Sequence, residues 1–302
     1  MTPSSSPLRA MRLTEWGLLL VLSLLWGASY LFMKLAVVAL PTFTIVLGRV
    51  SIACLALGAV LVVTGAGLPR GRAAWLAFFG MGVLNNVIPQ SLIVFGTHSI
   101  SAGLASILNA TTPLFTILVA HVVTSDEKLT PGKLVGIGLG IIGVVVLIGP
   151  GILADIGGSL PGEIACLFAA LSYAFANSFG RRFARLGIKP LHIAFGQVTA
   201  STVILLPITA ITDEPWSLPM PPMSALLSVI ALGLFCTALA YVIFFRILNR
   251  SGALSIALVT LMIPPSAVAL GAVVLDEAIS AQNLAGMVLI GVGLLAVNRK
   301  PK

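Results

Sequence analysis

The stretch LLLVLSLLWGASYLFMKLAVVAL, from Leu18 to Leu40, carries one charge, Lys34. Runs like it recur along the chain, and they limit its fold more than any other feature. A helix of about 20 apolar residues crosses about 30 Å of hydrocarbon. Inside lipid, backbone N–H and C=O groups must find partners within the protein, which leaves helices and closed barrels. Barrel strands alternate polar and apolar side chains over about ten residues, whereas these runs are solid. Composition agrees: 9% of the residues are charged, against about a quarter in a soluble domain, and the mean hydropathy is +1.11. The sequence predicts an all-α integral membrane protein.

Polar and Pro/Gly clusters divide the chain into ten spans near 16–38, 42–64, 73–95, 102–123 and 131–149, then 161–180, 190–211, 224–247, 252–274 and 280–297. Arg9 and Arg12 ahead of the first run imitate a signal peptide, but the run is about twice the usual apolar length of one and is read as a span. With the N-terminus in the cytoplasm, 15 of the 17 Lys and Arg residues fall on the inner side, as the positive-inside rule requires. Both termini are therefore expected in the cytoplasm of a multi-pass cell (inner) membrane protein. The net charge of +8 reports topology and not a nucleic-acid partner. Cys54, Cys166 and Cys236 all lie within apolar runs and are read as buried spacers.

The chain also resembles itself. Displaced by 150 residues, Asp126-Glu127 falls on Asp276-Glu277, Ser101 on Ser251, Leu134 on Leu284, and Gly136 and Gly143 on Gly286 and Gly293. At a displacement of 147, WGASYLFMK (Trp26–Lys34) falls on YAFANSFGR (Tyr173–Arg181). Two copies follow, 1–150 and 151–302, each of five spans. An odd number makes the second copy enter the membrane from the opposite side. Inverted repeats of this kind are built around a ligand site near the bilayer midplane.

Together these features resemble the EamA-type members of the drug/metabolite transporter superfamily. The resemblance is carried by LLWGASYLFMK in the first span, LGR (Leu47–Arg49) in the second, and ILNATTPLFTILVAHVVTSDEKLTPGKLVGIGLGIIGVVVLI with its partner LVTLMIPPSAVALGAVVLDEAISAQNLAGMVLIGVGLLAV. It implies ten transmembrane helices in two inverted five-helix repeats and export by alternating access. The implied solutes are amino acids, aromatic or other neutral, or related metabolites, with the YddG-like aromatic amino-acid and methyl viologen exporters as the nearest branch. Export of cationic drugs or other metabolites with proton coupling, and a non-transporting receptor or scaffold, are the competing readings. One departure is visible: His121 stands where the second copy has Gly271.

Polar groups inside a span are costly, so they are informative. Four spans carry pairs spaced i, i+4, one face each: Trp26 with Tyr30, Asn86 with Gln90, Tyr173 with Asn177, and Thr237 with Tyr241. Their convergence on a cavity for a small-molecule solute is the functional reading, and hydrogen bonding between helices is the structural one. Arg49 is the cation well inside a span, with no carboxylate at comparable depth. Lys34 and Arg181 are expected as interface anchors. Asp126-Glu127 and Asp276-Glu277 fall on opposite faces and are expected to clamp the fourth helix of each repeat to the fifth, ahead of caps near Thr130-Pro131 and Ser280. Pro89, Pro113, Pro207, Pro264 and Pro265 are candidate hinges. Glu15 and Glu163 belong at helix N-termini, and His98, His121 and His192 near span ends.

Enzyme signals are weak. Gly138, Gly140 and Gly143 spell G-x-G-x-x-G, but inside a membrane span, without the strand a dinucleotide site needs. H-E-x-x-H, G-x-S-x-G and deep paired aspartates do not occur. No catalytic set, metal or cofactor is therefore expected, and the partners are the lipid bilayer and a solute. The faces of Gly136, Gly140 and Gly143 and of Gly286 and Gly293 suit close helix packing, within a monomer or across a homodimer.

Overall fold

The computed structural model describes residues 13–123, 131–148 and 159–297, except the side chains at 13, 147–148, 249–258 and 297. Asp126 and Glu127 lie outside the described residues. Twelve α-helices and two π-helical segments occur among those described, and no strand. In order they are α1 (Leu13–Ala36), α2 (Thr42–Val63), α3 (Arg72–Gly82), a π segment (Val83–Val87), α4 (Ile88–Thr97), α5 (Ala102–Asn109) and α6 (Thr112–Val123). Then come α7 (Pro131–Ile148), α8 (Leu160–Arg185), α9 (Pro190–Thr212), α10 (Met223–Gly233), a second π segment (Leu234–Leu239), α11 (Ala240–Leu275) and α12 (Ala281–Val297). Among the described residues, seven stretches are long and apolar enough to cross a bilayer: Thr14–Ala36, Thr42–Val63, Arg72–Thr97, Ala102–Val123, Leu160–Arg185, Pro190–Thr212 and Met223–Leu248. Pro131–Val146, Val259–Leu275 and Ala281–Ala296 are shorter apolar helices.

Helix α11 is longer than a bilayer requires, and it is not straight. The Trp26 and Phe244 rings lie 5.7 Å apart. At the adjacent Gly27 a Cβ would meet the Ile263 carbonyl oxygen at 3.3 Å and the Ser266 Cβ at 2.7 Å. A straight helix would hold Phe244 and Ile263 about 28 Å apart, too far for both to touch one turn of α1. Helix α11 is therefore bent between them.

Packing follows the small residues. Helices α7 and α12 lie against each other, and their glycines make the contact: a Cβ at Gly293 would meet the Gly136 carbonyl oxygen at 2.6 Å, and one at Gly143 would meet the Ile290 backbone nitrogen at 2.9 Å. The glycine faces are thus used within the chain. The other close neighbours are α1 with α11, α2 with α9 and α4 with α8. Ile45, Val46, Val50, Leu57 and Leu108 are wholly buried in the main core, while Leu55, Val62, Val63 and Val273 are exposed apolar side chains of the kind lipid covers.

The prolines divide by setting. Pro113 lies in the first turn of α6, after the break at Ala110 and Thr111, where a missing N–H costs least, whereas Pro89 lies two residues beyond the first π segment inside a continuous helical run. Pro207 lies inside α9, and Pro264 and Pro265 inside α11. The two π segments occupy corresponding places in the two halves, and π-bulges gather at functional sites.

A buried polar centre and a tied helix end

The two π segments face a common set of polar side chains. Asn86, in the first, is wholly buried, and its Oδ1 accepts from Gln90 Nε2 at 3.0 Å and from the Tyr241 hydroxyl at 3.2 Å. The neighbouring Asn85 donates from Nδ2 to Gln197 Oε1 at 3.0 Å and to the Tyr241 oxygen at 3.1 Å. One tyrosine hydroxyl thus joins both asparagines. From the second π segment, Thr237 accepts from Arg49 Nε at 2.8 Å and donates to the Leu232 carbonyl at 2.8 Å. That last partner lies five residues back, the carbonyl spacing a π-turn offers.

Arg49 is 8% exposed. Its Nη2 donates to the Cys236 carbonyl at 3.5 Å and its Nη1 meets the Met33 sulfur at 4.0 Å, both long contacts. No carboxylate among the described residues pairs with it. Tyr30 sits one turn before Met33, and its oxygen accepts from Asn109 Nδ2 at 2.8 Å. Tyr30 belongs to the main core, and Tyr173 and Tyr241 pack against it. Three buried atoms here have no partner: Asn86 Nδ2, Gln90 Oε1 and Asn109 Oδ1. Each such orphan costs about 1–3 kcal/mol.

Six of the sequence candidates meet in this centre: Tyr30, Asn86, Gln90, Thr237, Tyr241 and Arg49, with Tyr173 close by. Two do not. Trp26 packs on Phe244 in a separate apolar cluster with Leu19 and Leu22, because its indole faces α11. Asn177 is exposed and donates to Thr116 Oγ1 at 3.1 Å. Asn85, Gln197 and Asn109 were not among the candidates. An i, i+4 criterion selects residues with a polar mate one turn away, and these three find theirs on other helices. An amide anywhere in a membrane span is the signal that would have found them.

The second polar region is one end of the bundle. The Glu277 carboxylate accepts from the Ala102 and Gly103 backbone N–H groups at 2.7 and 3.2 Å, in the first turn of α5, where a helix N-terminus favours an anion. Ser101 Oγ completes that cap by accepting from Leu104 N–H at 3.1 Å. Lys34 Nζ donates to the Thr97 and Ile100 carbonyls at 2.7 and 2.9 Å, at the C-terminus of α4. Asp213 accepts from Thr44 N–H at 2.7 Å and Thr44 Oγ1 at 2.9 Å, in the first turn of α2. His98 lies beside Thr42, 3.5 Å from Nε2 to Oγ1. Its pKa is lowered, first by burial among the helix ends and then by the Lys34 charge.

One expectation changes here. Glu277 does not clamp the fourth helix of its own repeat to the fifth; it crosses to α5 in the other half of the chain, because the chain turns back at Asp276 (φ +53°). The N–H groups of Asp276 and Glu277 both reach the Gly271 carbonyl. Lys34, expected as an interface anchor, also caps a helix end, at the C-terminus of α4. Ser280, by contrast, caps α12 as expected, accepting from Asn283 N–H at 3.0 Å. Gly271 is where the two copies differ, and the reason is local: a Cβ there would overlap Glu277 Oε2.

The profile of the EamA-like transporter family matches residues 15–149 and again residues 160–299. The uncharacterized transporter YoaV of Bacillus subtilis is 24% identical over 277 residues, 90% of this chain and 92% of its own. An uncharacterized inner membrane transporter of Escherichia coli, YedA, is 27% identical over 74% of this chain and 71% of its own. A protein of Salmonella typhimurium described as a probable amino-acid metabolite efflux pump is 32% identical over 64% of this chain and 66% of its own. A crystal structure with 21% sequence identity superposes with a TM-score of 0.66 over 95% of this chain and 98% of that one.

Proposed function

This chain belongs to the EamA-like transporter family, and from that premise we propose that it exports a small metabolite, an amino acid or a close relative of one, by alternating access. It is a membrane transporter and not an enzyme, as the family and its relatives are named. The observation that carries the solute class is the buried centre of one guanidinium without a carboxylate partner, three tyrosines and three amides that each keep one unpartnered atom. An apolar drug would leave those groups stranded, whereas a small polar solute satisfies them. The efflux pump among the relatives supports the same class.

The proposed architecture is ten helices in two inverted five-helix repeats, residues 1–150 and 151–302. Its support is the double profile match, the bend within α11 and the paired π segments. The proposed orientation places both termini in the cytoplasm, supported by the 15 inner Lys and Arg residues. In that orientation Lys34, Asp213 and Glu277 tie the external end shut, and access to the centre alternates as those ties open.

Counterflow in proteoliposomes tests the function. Amino acids, choline-like cations and sugars are each preloaded, and uptake of the labelled compound is followed. Accelerated exchange of a neutral amino acid is expected. Exchange confined to cations or sugars would refute the solute class, and no exchange of any member would refute the carrier.

A further inference from the structure

Arg49 is a charge without a counter-charge. A buried ion is ordinarily paired, yet among the described residues this guanidinium has one short hydrogen bond, from Nε to Thr237. Its two Nη groups, each with two N–H bonds, have only the long contacts to Cys236 and Met33. Those are the two groups of the fork that receives a carboxylate bidentately. Thr237 is fixed in turn by the Leu232 carbonyl, so the fork is held in orientation by its Nε and left open at its tips.

The orphaned atoms complete the pattern. Asn86 Nδ2 is a donor, whereas Gln90 Oε1 and Asn109 Oδ1 are acceptors. Asn86 and Gln90 are each less than a tenth exposed. Tyr241 ties Asn86 to the helix that bears Thr237 one turn away, and Tyr30 ties Asn109 to the helix that bears Met33. Donors for an anion and acceptors for a cation therefore stand on helices that Tyr241 and Tyr30 join. A simple carboxylate would satisfy only the first set, and an amine only the second.

We propose that the solute is a zwitterionic α-amino acid whose carboxylate lies on the Nη groups of Arg49 and whose ammonium is received by the amide oxygens of Gln90 and Asn109. The inference rests on the carrier reading and makes Arg49 its specificity-determining residue. Thr237 is a positioning residue that aims the guanidinium.

The test is binding, which needs no flux. Purified full-length protein in detergent is titrated with L-phenylalanine, L-leucine and L-threonine, and with the methyl ester and N-acetyl derivative of each, and its unfolding temperature is read. In the wild type at least one free amino acid is expected to bind about tenfold to a hundredfold more tightly than its ester, the range set by hydrogen bonds to a charged group. Its N-acetyl derivative is expected to bind more weakly too. Arg49→Lys keeps a preference for the free acid, whereas Arg49→Gln binds acid and ester alike. Equal binding of acids and esters to the wild type overturns the inference without any variant. So does Arg49→Gln retaining the wild-type preference. Proteoliposome flux separates the two readings: exchange of a cation or sugar with no preference for carboxylates leaves the carrier standing without this site. Carboxylate binding without exchange of any solute removes the carrier and keeps the site.

Discussion

Alanine at Gly271 tests the tie between Glu277 and α5 through a reversal of sign. Gly271 lies within α11 and has no positive φ, so its backbone accepts alanine. In a helix interior that change alone stabilises by about 0.5–1 kcal/mol. The three atoms nearest the new methyl group all belong to the Glu277 side chain, which must swing away and surrender its bonds to the Ala102 and Gly103 N–H groups. Loss of an N-terminal cap costs about 0.5–2 kcal/mol, and removal of the charge from the helix N-terminus adds about 0.3–1 kcal/mol. A total near 2 kcal/mol for Glu277→Ala follows. Gly271→Ala in the wild type then combines that loss with the helix gain and nets about 1 kcal/mol of destabilisation. Placed on Glu277→Ala, where nothing is left to displace, the same substitution stabilises by about 0.5–1 kcal/mol.

The four proteins of this cycle are compared by equilibrium unfolding in mixed detergent, where the coupling is the departure from additivity. A coupling near 2 kcal/mol with opposite signs for Gly271→Ala in the two backgrounds is expected. Equal destabilisation in both would refute the contact, because it would show that the methyl group collides with something other than Glu277. A large loss from Gly271→Ala together with none from Glu277→Ala would refute the cap itself.

Asp276 is held in the left-handed region at the end of α11, so Asp276→Gly should raise stability by about 0.5–1 kcal/mol, read in the same unfolding assay; a loss would show that its carboxylate has a role. Since His98 has a folded pKa below its ordinary 6.5, the unfolded chain takes up the proton first as the pH falls. Stability therefore declines from about pH 6.5 down to the folded pKa and levels off below it. His98→Gln should flatten that part of a profile of unfolding temperature against pH. Tyr241→Phe removes the hydroxyl that joins Asn85 to Asn86 and should cost about 1 kcal/mol and slow exchange in proteoliposomes; unchanged exchange would place the solute elsewhere.

The spans were legible in the sequence because lipid permits few alternatives: a chain this poor in charge must satisfy its backbone in helices, and the apolar runs mark them. Arg49, Asn86, Gln90 and Tyr241 were legible for the related reason that a polar group in a span is expensive. What the sequence withheld was azimuth. Periodicity places Trp26 and Tyr30 on one face of α1, but a face is wide enough for Tyr30 to turn to Asn109 while Trp26 turns to Phe244. Asn85 and Asn86 are successive residues and leave their π segment in different directions, yet both reach Tyr241, since a tyrosine from another helix spans that gap.

The Asp-Glu pair sets a different limit. Repetition of the pair in the sequence located it and suggested a clamp, but a repeat aligns a residue with its mate and not with its neighbours in space. Glu277 could be assigned to α5 only once the left-handed Asp276 had turned the chain back. The clue to that turn was nevertheless in the sequence, in the one departure noted between the copies. A carboxylate that folds over the preceding helix needs a position with no side chain beneath it, and Gly271 supplies it. His121, at the corresponding place in the first copy, carries an imidazole where that space would have to be. Gly271 and the carboxylate that lies over it therefore form one local arrangement at the end of α11.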